Sequence, residues 1–231
     1  MARHTIHLQR EIDNLKRMIL GLGADVEESV NHAVKALIER ERKLAQKVIH
    51  SDHRIDQKEV DVEEECLKIL ALYQPVANDL RLIIAILKIN NDLERIGDLA
   101  VNIAERAVVL STRDKLEIPI NLQSMAVKTQ TMLKSSLDAL VKTDPELARR
   151  VCAADDEVDA LNREMYIRIK EAIHKNPDLM DSMIQLLSAS RYLERVADHA
   201  TNIAEDVIYL VEGKIIRHTG KILGPDSNFK N

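Results

Sequence analysis

The chain repeats itself, and the repeat limits its fold more than any other feature. Residues 93–105, Leu-Glu-Arg-Ile-Gly-Asp-Leu-Ala-Val-Asn-Ile-Ala-Glu, return at 193–205 as Leu-Glu-Arg-Val-Ala-Asp-His-Ala-Thr-Asn-Ile-Ala-Glu, an offset of 100. Upstream the offset is 103, so that Leu37, Leu44, Ala45, Val48, Asp52 and Asp56 fall on Leu140, Leu147, Ala148, Val151, Asp155 and Asp159. A duplication on this scale builds two copies of one supersecondary unit. The apolar period is helical throughout and predicts helices over 5–41, 44–50, 52–73, 76–111, 120–142, 145–153, 155–175 and 178–212, with no strand. Each half therefore supplies a long helix, a short one and a hairpin of two long helices. The expected fold is all-α: two tandem three-helix bundles, six main helices in all. The expected units are 1–113 and 119–213, with a seam around 111–119 and a polar tail over 214–231.

Composition excludes several function classes. The formal net charge is -5, Trp is absent, and there are only one Phe and four Tyr, so a nucleic-acid partner is not expected. No Gly-x-Gly-x-x-Gly or Gly-x-x-x-x-Gly-Lys-Ser/Thr arrangement occurs, which removes the phosphate-cradling loops of kinases, NTPases and dinucleotide enzymes. The longest apolar run, residues 82–87, is far short of the roughly 20 residues that span a bilayer. Cys66 and Cys152 lie in helical patterns and cannot staple a chain of this size, which points to a reducing cytosol. The expectation is a cytoplasmic protein that meets a membrane only through partners.

The chemistry lies in repeated carboxylates. Asp52 with Asp56, Glu94 with Asp98, Asp155 with Asp159, and Glu194 with Asp198 are all spaced four apart, which places each pair on one helix face. The midpoint between the first two pairs is Pro75, and that between the second two falls at Asn176-Pro177. Helices that turn back at those points set an Asp pair opposite a Glu/Asp pair in each half. Along the helix Glu94, Asp98, Asn102 and Glu105 lie at about 0, 40, 80 and 20°, close to the apolar stripe of Ile83, Leu87, Val101 and Val108. Arg81, Lys88, Asp92, Arg95 and Arg106 form a separate strip that reads as solvated. Four half-buried acids facing one another repel, and protonation, arginine or bound cations must compensate. Hard oxygen ligands on facing helices suit di- or multinuclear metal sites. His199, where the first half has Leu99, reads as solvated and is a weak ligand candidate. Glu171-Ala172-Ile173-His174 is the sole Glu-x-x-His, whereas a ferritin-like oxidase needs two.

Several motifs in order resemble one known family. Gln74-Pro75-Val76-Ala77-Asn78-Asp79-Leu80-Arg81, then Asp92 to Asp98 with Asn102-Ile103-Ala104 and its copy ending at Ala204, and Glu212-Gly213-Lys214-Ile215-Ile216-Arg217-His218 look like the PhoU family of phosphate transport accessory proteins. The resemblance covers nearly the whole chain. It implies a cytoplasmic regulator that acts with the ATP-binding subunit of a phosphate ABC transporter and with a sensor histidine kinase, repressing the phosphate-starvation response when phosphate is plentiful. It also implies metal, iron or zinc among the candidates, at Glu94, Asp98, Glu194 and Asp198, with Asp52, Asp56, Asp155 and Asp159 opposite. On this reading the chain is not an enzyme. The alternatives are a carboxylate-bridged di-metal oxidase or hydrolase, and a purely structural helical homodimer whose sites stay empty.

Overall fold

The computed structural model describes residues 2–113 and 121–214. Seven α-helices run through them in order: α1 (Ala2–Glu39), α2 (Arg42–Ser51), α3 (His53–Tyr73), α4 (Ala77–Ser111), α5 (Leu122–Lys142), α6 (Pro145–Lys175) and α7 (Met180–Glu212). There is no strand among the described residues. The architecture is the expected one, with α1 against the α3–α4 hairpin and α5 against the α6–α7 hairpin. Residues 114–120, most of the expected seam, and 215–231, most of the expected tail, lie outside the described residues.

The helix ends follow local chemistry. Asp144 caps α6 by accepting from the backbone N–H groups of Glu146 and Leu147 at 3.0 Å, with Pro145 in the first turn where its missing N–H costs nothing. Asn176 accepts from Asp178 N–H at 3.2 Å and opens a single 3-10 turn before α7. Gly213 closes α7 with a φ of 72°, a left-handed conformation that a side chain would strain. The turns fall at residues 74–76 and 176–177, where the spacing of the carboxylates places them.

One expected break is missing. The pattern predicts a stop between 153 and 155, yet α6 runs unbroken from Pro145 to Lys175. In the first half α2 and α3 part at Asp52, where Ser51 Oγ donates to Val48 O and the rings of His50 and His53 meet the carbonyls of Gln46 and His50. Side chains that bond backbone carbonyls in this way bend a helix. The matching positions 153 and 154 are both Ala, the best helix former, so nothing interrupts the second copy.

α4 and α7 form the shared centre. Ile86, Ile89, Leu93, Ile96 and Ile103 of α4, with Leu193, Val196, Ile203 and Val207 of α7, are all buried, each worth about 1.5–3 kcal/mol on removal from water. Small residues set the hairpin spacing. A Cβ on Gly97 would sit 3.1 Å from Ile55 Cγ2, so this glycine lets α3 approach α4 beside Asp52. The second half has Ala197 there. Cys66 is buried and Cys152 half-buried, both free, and burial pushes each thiol up to about 12. Neither is poised to react.

Candidate functional site

The hairpins place the eight carboxylates in two clusters, one per half. In the first, Asp52 and Asp56 begin α3 and Glu94 and Asp98 occupy mid-α4. Burial, then the negative charges of Asp56, Asp98 and Glu94, push the Asp52 carboxyl up to about 6. Glu94 is raised by burial and by Asp98, while Arg95 opposes the shift. Arg95 lies 3.4 Å from Glu94 and 3.6 Å from Asp98, offsetting part of their repulsion. In the second cluster, burial and then Asp198 and Asp159 push Asp155 up to about 6. Glu194 is raised by burial and by Asp159, and Asp198 by burial and by Glu194. Each Asp pair thus lies within electrostatic reach of the Glu/Asp pair across its turn.

Their donor chemistry fits a hard cation. Carboxylate oxygens face each other in a seam that resists ionisation, and Asp155 Oδ1 is buried with no hydrogen-bond partner. Among the described residues, however, no three His, Cys, Asp or Glu side chains already stand in coordinating array.

Three features lie beyond what the spacing revealed. First, each cluster borders a polar pair at matching register. Asn90, buried four residues before Glu94, donates to Glu59 Oε1 and to Glu59 O, both at 3.0 Å. In the second half Ser190, four before Glu194, donates to Asn162 Oδ1 at 3.0 Å. The same 100 and 103 offsets relate these pairs, although the residue types differ at both positions. Burial, then Glu63, Glu94 and Asp56, raises the Glu59 carboxyl, which places a fifth acid at the first cluster. Its counterpart is the neutral Asn162.

Second, the strip read as solvated is largely a seam between the halves. Asp92 is buried, accepting from Asn202 Nδ2 at 3.2 Å and pairing with His199 Nδ1 at 2.8 Å. Lys88 reaches the buried Asp206 at 3.4 Å, and Arg106 donates to Gln185 at 3.2 Å. His199 is correspondingly half-buried, not solvated. The helical phase of one hairpin carries no information about the other hairpin laid against its back, so the sequence reading put these residues in water. Of the five, Arg95 is the one that remains openly exposed.

Third, charges invert at one register without loss of pairing. Asp25 on α1 meets Lys58 at 2.6 Å and Arg54 at 3.8 Å on α3, whereas Lys128 on α5 pairs with Glu157 on α6. Positions 25 and 54 correspond to 128 and 157, so each half keeps the contact with the signs exchanged.

An all-α repeat protein with one acidic cluster in each of two helix hairpins is the class that this geometry defines. A sequence profile of the PhoU domain matches residues 19–107 and again 122–207, and the chain belongs to the PhoU family. A phosphate-specific transport system accessory protein PhoU homolog of Pseudomonas aeruginosa is 41% identical over 216 residues, covering 91% of this chain and 87% of that one. The corresponding homolog of Aquifex aeolicus is 38% identical, covering 91% and 96%. Crystal structures of PhoU from Pseudomonas aeruginosa and of the phosphate transport system regulatory protein PhoU from Streptococcus pneumoniae superpose with TM-scores of 0.86 and 0.80. They are 39% and 31% identical, cover 89% and 90% of this chain, and are each covered to 99%.

Proposed function

We propose that this chain is an accessory regulator of a phosphate-specific transport system, one that holds down the phosphate-starvation response by contact and not by turnover. The family membership and the names of its relatives support the transport role. The observation that carries the mechanism is the retention, in register, of two acidic clusters on a scaffold whose sequence carries no phosphate loop and whose two free thiols are both held protonated by burial. A cation held by Asp52, Asp56, Glu94 and Asp98, and another by Asp155, Asp159, Glu194 and Asp198, would neutralise the repulsion and tie the two helices of each hairpin together; iron and zinc are the candidates. The chain's own residues supply the frame: Gly97 admits α3 to α4, Arg95 offsets charge at one rim, and Asn90 fixes Glu59. Its working surfaces meet the ATP-binding subunit of the transporter and a sensor histidine kinase in the cytoplasm, and no described helix is long and apolar enough to cross a membrane.

Deleting the gene should leave phosphate-starvation genes active in ample phosphate, and the intact chain should restore repression. Normal repression in the deletion host, or a metal-dependent hydrolase or oxidase turnover lost on Glu94→Gln, contradicts the proposal.

A further inference from the structure

A small polar cavity opens where α2 breaks from α3, on the side of the break turned toward α1. Its volume is about 70 Å³, and its polar walls are Asp25, Ser29 and His32 of α1, Lys47 and Ser51 of α2, and Arg54 of α3. At roughly 30 Å³ for each water, that is room for about two waters or for one tetrahedral oxyanion. Ser29 is 8% exposed, and its hydroxyl has no hydrogen-bond partner among the described residues. Lys47 has no ion-pair partner there either, and Arg54 reaches only Asp25, at 3.8 Å. Asp25 is itself answered by Lys58 at 2.6 Å, while Glu28, which also borders the cavity, is exposed and lies 3.7 Å from His32. Two cations and a buried hydroxyl thus border a space that the chain leaves open.

The duplication shows that the fold does not require this lining. At an offset of 103, Met132 stands for Ser29, Ala154 for Ser51 and Glu157 for Arg54. Met132 is buried, and Glu157 is paired to Lys128. A buried hydroxyl without a partner costs stability, so its presence in one copy alone points to something held there. Arg54 and Lys58 oppose a metal cation. An oxyanion suits them, because Arg and Lys make strong charge-assisted hydrogen bonds to phosphate oxygens. The carboxylate of Asp25 then selects among oxyanions: it accepts the proton that orthophosphate keeps near neutral pH and repels sulfate, which carries none.

We propose that this cavity binds one orthophosphate ion: Lys47 and Arg54 balance its charge, Ser29 Oγ donates to it, and Asp25 accepts its proton. The site goes beyond the contact role proposed above, since it gives the chain a small-molecule ligand of its own. It does not depend on the metal reading, because none of the eight clustered carboxylates lines the cavity. The first half alone carries it.

The test is equilibrium dialysis of the full chain against radiolabelled orthophosphate, after chelator treatment so that metal at the carboxylate clusters does not hold the anion. Circular dichroism follows helix content in parallel. The wild type should bind one phosphate per chain. Lys47→Gln, a change at an exposed position, and Ser29→Met, which copies the second half, should each weaken binding at least about tenfold while the chain stays helical. Sulfate should compete about tenfold more weakly than unlabelled phosphate, and Asp25→Asn should bring the two anions level. Phosphoserine, whose phosphate arrives on a bulkier carrier, should compete more weakly than phosphate itself. No bound phosphate up to about 1 mM overturns the proposal, as do helical Lys47→Gln and Ser29→Met chains that bind like the wild type. Sulfate that competes as well as phosphate overturns the selectivity given to Asp25, and phosphoserine that competes better reassigns the cavity to the phosphoryl group of a larger ligand. Repression in the deletion host is read separately, so the failure of one proposal does not pass for the failure of the other.

Discussion

The two hairpins share a geometry and differ in charge. Both set an Asp pair against a Glu/Asp pair across a short turn, and in both the first Asp of that pair, Asp52 or Asp155, is pushed up to about 6. At the next layer the first hairpin holds Glu59 on Asn90, whereas the second holds the neutral Asn162 on Ser190. Asn91 in the first corresponds to Arg191 in the second, beside Glu194, whose charge it favours. At these two positions the first cluster is the more negative, whereas beside the raised Asp the difference runs the other way, with His53 in the first half and Asp156 in the second. Backbone register survived duplication because the shared core depends on it, while the charge around each cluster was free to drift.

The largest difference to break lies where the halves meet. His199→Leu, which gives the second hairpin the residue of the first, strips the buried Asp92 of one of its two partners across the seam. It should lower unfolding free energy by about 1–3 kcal/mol in urea titrations. The reciprocal Leu99→His introduces a polar ring at a buried position with no Asp opposite, since Tyr192 stands where Asp92 would, and should cost about as much. If both variants are neutral, the seam is not the asymmetric polar contact described.

A smaller effect sharpens the comparison of the clusters. In a background of Glu194→Gln and Asp198→Asn, Glu59→Gln should weaken zinc binding by about tenfold, or ~1.4 kcal/mol, in calorimetric titrations. In the opposite background, Glu94→Gln with Asp98→Asn, Asn162→Glu should strengthen it by a similar factor. Equal affinities in all four proteins would contradict the charge difference at these positions.

The metal-free protein also carries a pH signature. Asp52 and Asp155 keep protons in the folded state that the unfolded chain releases, because their folded values near 6 stand above the ordinary 3.8. Folding stability should therefore fall as pH rises from about 4 to 6 through these two groups and change little above that. Asn at both positions should flatten the slope in thermal melts of chelator-treated protein.

The smallest difference is at a helix start. Asp144→Ala removes two N-cap hydrogen bonds and should cost about 1 kcal/mol. Glu41, at the corresponding start of α2, makes no side-chain cap bond, so Glu41→Ala should stay within about 0.5 kcal/mol.

What was legible in the sequence was whatever a single helix or a single turn decides. The apolar period gave the helices, Pro75 and Asn176-Pro177 gave the turns, and the offset gave the two acidic clusters. What escaped depended on contacts between separately patterned elements. Asp92, Lys88 and Arg106 follow the polar side of α4 within its own hairpin, and α7 across the seam buries Asp92 and pairs the other two. The Asn90–Glu59 bond left no mark in the repeat, since Ser190 and Asn162 stand at the equivalent positions and an Asn on an apolar helix face reads as an interruption until its partner is seen. The break expected at 154 does not form, because the side chains of Ser51 and His50 that bend the first half are replaced by Ala154 and Ala153 in the second.

The central claim is that each hairpin holds cations independently with its own four carboxylates. Elemental analysis of the full chain, purified without chelator or affinity tag, tests it most directly when the wild type is compared with two variants, Glu94→Gln with Asp98→Asn and Glu194→Gln with Asp198→Asn. The account predicts metal in the wild type, loss of one half's share in each variant, and no metal when all four substitutions are combined. A wild-type chain free of metal, or variants that lose all of it or none, would contradict two independent sites.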